Sequence, residues 1–206
     1  MQKSRLLETQ KALESSGFSA EVIDTREELW ERVEPLIRDF ETAGFGGSMT
    51  TRELGLPELC KATGLKVFDH WTDGLTPEQI AGIRRAHLAC DVFFTSAQAI
   101  TMNGEIVSID GIGNRVAATI FGPKRVVVVC GKNKIVSDLH AAFERIRRVA
   151  APLRAKSLNV DVPCAKTGEC TDCSSPERIC RAAVIMYAPP LRADVRVFIV
   201  NEELGY

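Results

Sequence analysis

An α/β fold, with a largely parallel sheet and helices on both faces, is what this sequence predicts. Strand-like and helix-period segments alternate through most of the chain, the order that parallel βαβ units impose. Arg125-Val126-Val127-Val128-Val129-Cys130 is a continuous apolar run of strand length, suited to a strand covered on both faces. The chain has 206 residues, 45% hydrophobic and 26% charged, with no internal repeat and no low-complexity linker. That length and composition fit a single domain over 1–206 with one sizeable core.

The elements follow in order. Residues 3–16 read as a weakly amphipathic helix closed by Gly17, and 20–24 as a short strand. Thr25-Arg26-Glu27-Glu28 is a capping box ahead of Leu29, Trp30, Val33, Leu36, Ile37 and Phe40 at helical spacing. Pro35 inside that pattern predicts a kink or a second start. Ala43 to Gly47 reads as a strand running into a glycine turn, and Leu65 to Phe68 as another strand. Thr76-Pro77-Glu78-Gln79 marks a helix start, with Ile80, Ile83, His87 and Leu88 as its buried face. Asp91 to Thr95 is a strand opening into Ser96-Ala97. Asn103-Gly104 predicts a two-residue hairpin turn between Ile100–Met102 and Glu105–Asp110. Asn114 to Phe121 reads as a short helix. Asp138 to Ala150 is the clearest helix, with Leu139, Ala142, Phe143, Ile146 and Val149 on one face. Residues 151–181 read as an irregular, cysteine-rich loop inserted before two final strands, Ala183–Tyr187 and Asp194–Val200.

Composition narrows the function classes. No apolar run is long enough to span a bilayer, so no membrane span is expected. The first eight residues lack an apolar h-region, so a cytoplasmic location is expected. The net charge of −1 and pI near 6.3 argue against a nucleic-acid partner. The charge is nonetheless uneven: residues 1–60 carry −5 and residues 61–206 carry +4. Arg145, Arg147, Arg148, Arg154 and Lys156 form the densest basic stretch, either a solvated helix face or a docking patch for an acidic partner or anionic ligand.

Seven cysteines divide into two groups. Cys60, Cys90 and Cys130 sit in apolar contexts and read as small core residues. Cys164, Cys170, Cys173 and Cys180 fall within 17 residues, spaced C-x5-C-x2-C-x6-C. In a reducing compartment such a cluster points to metal or redox chemistry more often than to structural disulfides, with a disulfide staple of the loop or free thiols as the remaining alternatives. Cys170 and Cys173 can bite one centre from a single turn, Gly168 lets the backbone return Cys164, and Ser175-Pro176 predicts a helix start leading to Cys180. Four thiolates match a [4Fe–4S] cluster or a tetrahedral zinc site. The absence of a nearby histidine and the presence of Arg and Lys favour the iron–sulfur reading.

Three glycine-rich or basic loops follow predicted strands, where α/β folds form their ligand crevice. Gly46, Gly47, Ser48 and Thr50 offer backbone amides and hydroxyls to an anion, with Ser48 alternatively a plain N-cap. In Asp110, Gly111, Gly113, Asn114 and Arg115, Asn114 is placed to cap a helix and Arg115 to pair with an anion. Lys134 is a candidate partner for a phosphate or carboxylate, and Thr95 ends a strand at the same edge. Glu105 is a possible base or an exposed hairpin residue. His87 reads as a helix-face residue, and His70 and His140 as surface residues.

The stretches Gly46–Thr50, Thr95–Ala97, Asp110–Ala117, Gly122–Arg125, Asn133–Val136 and Asn201–Tyr206, in this order, resemble the LUD (lactate utilisation, LutC/YkgG-type) domain family over about residues 3–206. The cysteine segment is similar to that of a stand-alone branch; other members lack it. The resemblance implies a NagB/RpiA/CoA-transferase-like fold. For some members it also implies partnership with iron–sulfur proteins in oxidation of L-lactate to pyruvate. The combined expectation is an iron–sulfur redox or accessory protein acting on lactate or a similar small organic acid. The alternative is an enzyme or binder for an anion, nucleotide or CoA-like ligand, with structural zinc.

Overall fold

A computed structural model describes residues 2–206, so Met1 lies outside the described residues. Six parallel strands form the main sheet: β1 (Ser19–Ile23), β2 (Thr42–Phe45), β3 (Lys66–Asp69), β4 (Val92–Thr95), β7 (Arg125–Gly131) and β10 (Asp194–Val200), in the order β1-β10-β7-β4-β2-β3. A second sheet, mostly antiparallel, holds β5 (Ala99–Thr101), β6 (Ile106–Asp110), β8 (Ile135–Val136) and β9 (Ala182–Met186), ordered β8-β5-β6-β9. The two final strands therefore part company. β9 pairs with β6 in the small sheet, and β10 lies between β1 and β7 in the large one.

The apolar run behaves as its composition requires. In β7, Val127 and Val129 enter one core while Val126, Val128 and Cys130 enter another. The first core is closed by α2 (Arg26–Ile37) through Leu29, Val33 and Ile37, and by α4 (Leu56–Ala62) through Leu56 and Cys60. The second is closed by α1 (Gln2–Ser15) through Leu6 and Leu13. Ile100, Ile106, Ile135 and Met186 of the small sheet complete it. The small sheet turns its other face, through Ala99 and Val107, to Ala142, Ile146 and Ala151. Helices do flank both faces of the main sheet, with a second sheet interposed on one of them.

Local departures from the sequence reading have physical causes. α2 runs through Pro35 unbroken: the proline lies two residues from the last helical residue, Ile37, and removes one ladder bond in the final turn. Asn103-Gly104 sits in a longer loop: Ile100 pairs with Ile106, and the Gly104 amide bonds the Thr101 carbonyl with Gly104 at φ +91°. The Glu105 carboxylate accepts from the Thr101 hydroxyl and closes that loop. α5 (Pro77–Ala86) turns Ile80 and Ile83 only partly inward, and Leu88 is exposed. The clearest predicted helix extends beyond Ala150. α7 (Leu139–Arg145), a π-turn over Ile146–Ala150 and α8 (Ala151–Ser157) form one run. Pro152 removes the amide that would continue the ladder, and the wider turn just ahead of it rotates Val149 out to solvent. The 151–181 segment is thus partly helical, with α9 (Pro163–Thr167) following α8. No helix starts at Ser175-Pro176, where the chain makes only a turn.

Phe45 and Phe94 stack at the centre of the first core, with ring centroids 4.9 Å apart. Both are fully buried. Phe94→Ala is expected to destabilise the protein by about 3–5 kcal/mol, measured as a lowered urea midpoint with unchanged slope.

Candidate functional site

The carboxyl ends of the central strands open into a cavity of about 340 Å³. Gly47 and Ser48 after β2, Ser96 after β4, Asp110 at the end of β6 with Gly111 after it, and Lys134 after β7 form its polar wall. Ile146, Ala150 and Ala151 of the long helical run and Leu158, Val160 and Ile179 beyond it form the apolar wall.

Lys134 is 3% exposed and has no carboxylate partner among the described residues. Its ammonium donates to Thr50 Oγ1 at 2.7 Å and Ser96 Oγ at 3.0 Å. Those hydroxyls pass their own protons to backbone: Thr50 to the Leu204 carbonyl and Ser96 to that of Ala97. The third N–H of Lys134 has no protein acceptor among the described residues. Burial lowers its pKa to about 8, and the nearby Arg145 and Arg115 charges push the same way.

Arg115 is built into the wall. Its guanidinium donates to the carbonyls of Ser96 at 3.2 Å and Ile109 at 2.6 Å, so it joins the β4 end to the β6 end. A Cβ on Gly46 would stand 3.0 Å from Arg115 Cγ, so the glycine makes room for that side chain. Asp110, not Asn114, caps α6 (Asn114–Ile120): its carboxylate accepts from the Arg115 and Val116 amides, and the N-cap position is Gly113. Burial pushes the Asp110 pKa up. The Arg115 charge and the backbone N–H groups outweigh it and hold the carboxyl below its ordinary value. Ser48 caps α3 (Met49–Glu53), accepting from the Thr51 amide.

A smaller cavity of about 30 Å³ adjoins the first. Cys164, Cys170, Cys173 and Cys180 all line it. Ala151, Ile179 and Cys180 line both cavities. One guanidinium organises the loop: Arg178 donates to the Cys180 carbonyl at 2.9 Å, the Cys173 carbonyl at 2.8 Å and Asp172 at 2.9 Å. Gly111 admits the loop, since a Cβ there would lie 3.1 Å from the Ile179 carbonyl oxygen. Burial raises the Cys164 and Cys180 thiols, and the neighbouring cysteines raise them further. Among the described residues, no three His, Cys, Asp or Glu side chains converge on a point that would hold a single ion. The four thiols are the donor set available to a soft metal centre.

A family model described as LUD domain matches residues 6–200. The chain belongs to the LUD-domain family. The crystal structure of a DUF162 family protein from Deinococcus radiodurans superposes on the LUD-domain chain with a TM-score of 0.57 at 12% identity, covering 97% of this chain and 98% of that one. That likeness concerns the fold alone. The tetrameric eIF2B-beta2-delta2 complex from C. thermophilum overlaps weakly, with a TM-score of 0.32 and 19% identity over 65% of this chain and 42% of that one. No curated protein matches. No helix among the described residues is long and apolar enough to cross a membrane.

Of the loop residues singled out from the sequence, Gly47, Ser48, Asp110, Gly111, Asn114, Arg115 and Lys134 line the large cavity of the LUD domain. Gly46, Thr50, Thr95 and Gly113 are not among the residues that line it. The basic stretch is divided between roles. Arg145 donates inward to the Asn133 and Gln98 carbonyls, and Arg154 lines the cavity with its guanidinium 4.7 Å from the Trp71 ring centroid. Arg147 and Arg148 face solvent. His140 is exposed, whereas His70 is not a free surface residue: it is half-buried in the cavity wall, beside Arg84. Cys60, Cys90 and Cys130 are buried, and burial pushes the thiols of Cys60 and Cys90 up to about 12.

A lysine with its folded pKa near 8, against about 10.4 unfolded, gives a definite pH signature. Between those values the unfolded chain binds more protons, so stability rises with pH across that window and is flat below it. Lys134 is expected to contribute a gain of about 2 kcal/mol between pH 7 and 9.5. Denaturant titrations of the wild type and Lys134→Met at both pH values check this; the variant should lack that increment.

Proposed function

We propose that this LUD-domain protein binds an organic acid in the large cavity beside an iron–sulfur cluster held by Cys164, Cys170, Cys173 and Cys180. In this reading it serves as a redox component in the oxidation of lactate or a similar hydroxy acid. The observation that carries the reading is the shared wall, in which Ala151, Ile179 and Cys180 belong to both cavities.

The donor chemistry supports it. Each iron of a [4Fe–4S] cluster takes one thiolate, so its ligands stand around a cavity and do not converge on one ion. The four cysteines here all line a single small cavity. When bound, the cluster supplies one-electron transfer. The protein's own part is binding and orientation. The remaining Lys134 N–H offers an ammonium donor to a carboxylate, in a setting where a charge-assisted bond is strong. Ser96 and Thr50 hold that ammonium in place. Ile146, Leu158 and Ile179 keep water from the acid's other side. Arg178 fixes the carbonyls of Cys173 and Cys180 and so presets the thiol positions. Iron–sulfur redox proteins are the partners this reading calls for, with the exposed Arg147 and Arg148 as the basic surface for an acidic one.

Protein purified without oxygen should carry about four iron per chain with a broad band near 400 nm that bleaches on reduction. Cys173→Ser should lose the band, and Arg178→Ala should lower the iron content. L-lactate should raise the melting temperature of the wild type but not of Lys134→Met. One zinc per chain and no colour would overturn the redox reading in favour of a structural metal site.

A further inference from the structure

The β3 end of the cavity holds cationic and polar groups left without a hydrogen-bond partner among the described residues. Arg84 and His70 line the wall there. Arg84 Nε and His70 Nδ1 are buried and have no hydrogen-bond partner among the described residues. Asp69, the residue before His70, is already engaged: both its oxygens are taken by Arg52, and one also accepts from the Trp71 amide. His87 stands 5.5 Å from the His70 ring, but its Nε2 is engaged with the Phe68 carbonyl. Asp110, the only carboxylate side chain in the cavity wall among the described residues, is committed to the α6 cap. Burial, reinforced by the His87 and Arg84 charges, lowers the His70 pKa to about 4, so at neutral pH it adds a polar group and no second positive charge.

This cluster is well separated from Lys134. The ammonium reaches Ser96, the residue after β4, while His70 is the residue after β3. Asp69 and Phe94 both align with Phe45 in the sheet register, so these two ends lie level. With β2 between them, two strand spacings amount to about 10 Å. A three-carbon acid anchored at Lys134 is too short to span from the β4 end to the β3 end, where His70 stands. The cavity lining also includes the apolar side chains of Met49, Ile146 and Leu158, which suit an alkyl segment.

We propose that the cavity's ligand carries a second anionic group, received by Arg84 and His70, so that the site is built for an elongated dianionic acid. This rests on the organic-acid reading of the cavity and names its substrate class. The single terminal carboxylate of lactate then fills only the Lys134 end.

Calorimetric titration with L-lactate, malonate, glutarate, pimelate and azelate tests it. One of the longer diacids is expected to bind at least ten-fold more tightly than lactate. Arg84→Met should return that diacid to the affinity of lactate and leave lactate itself unchanged, while Lys134→Met should weaken every acid that binds. Equal affinity across the series, or a length preference that survives Arg84→Met, would overturn the proposal while leaving the organic-acid reading intact. Failure of every acid, lactate included, would overturn both.

Discussion

A buried ammonium with no carboxylate beside it sets the terms for this structure. Lys134 is held almost wholly out of water by two hydroxyls. A buried charge is costly unless it is paired, and neutral hydroxyls compensate it only in part. The fold could have supplied a carboxylate at this point and does not. What remains is a preorganised cation facing a cavity at the carboxyl ends of β2, β4 and β7, the edge at which open α/β sheets place their ligands. Thr50 and Ser96 come from different strand ends, so the geometry around Lys134 depends on the register of the whole sheet. The final residues close the back of the site: the Leu204 carbonyl accepts from Thr50, and a Cβ on Gly205 would stand 2.7 Å from Thr50 Oγ1.

The second dependence is on close approach. Gly111 permits the cysteine loop to lie directly against the β6 end, and Arg181 donates its amide to the Asp110 carbonyl. The same short stretch, Ile179 to Arg181, therefore joins the small sheet, the large cavity and the cysteine cavity. Arg178 then locks the loop from within, spending one guanidinium on two cysteine carbonyls and Asp172. A loop held this firmly by backbone contacts can present four thiols with little reordering.

Much of this was legible in the sequence where a local pattern decides the outcome. The capping signals at Thr25 and Thr76 and the two-faced burial of Val126–Cys130 need only neighbouring residues. The loops after β2, β6 and β7 were readable because glycine and lysine follow strand-like runs. The separate small sheet was not, since nothing in Ala183–Tyr187 says whether it pairs with β6 or with a strand of the main sheet. The π-turn escaped because it depends on Pro152, beyond the segment whose period was being read. His70 had a usable signal. It directly follows β3, and the rule applied to the other strand ends points to it as well. Arg84 lies one turn from Ile80 and three residues before His87, on the partly inward side of α5.

Ala151, Ile179 and Cys180 line both cavities, which in the proposed function act as parts of one site. The electron paramagnetic resonance spectrum of the dithionite-reduced protein, before and after saturation with azelate, tests that unity most directly. A change in the g-values on adding the acid, lost in Lys134→Met, is the expected result. An iron signal that the acid leaves unmoved, or no iron signal in protein prepared without oxygen, would contradict it.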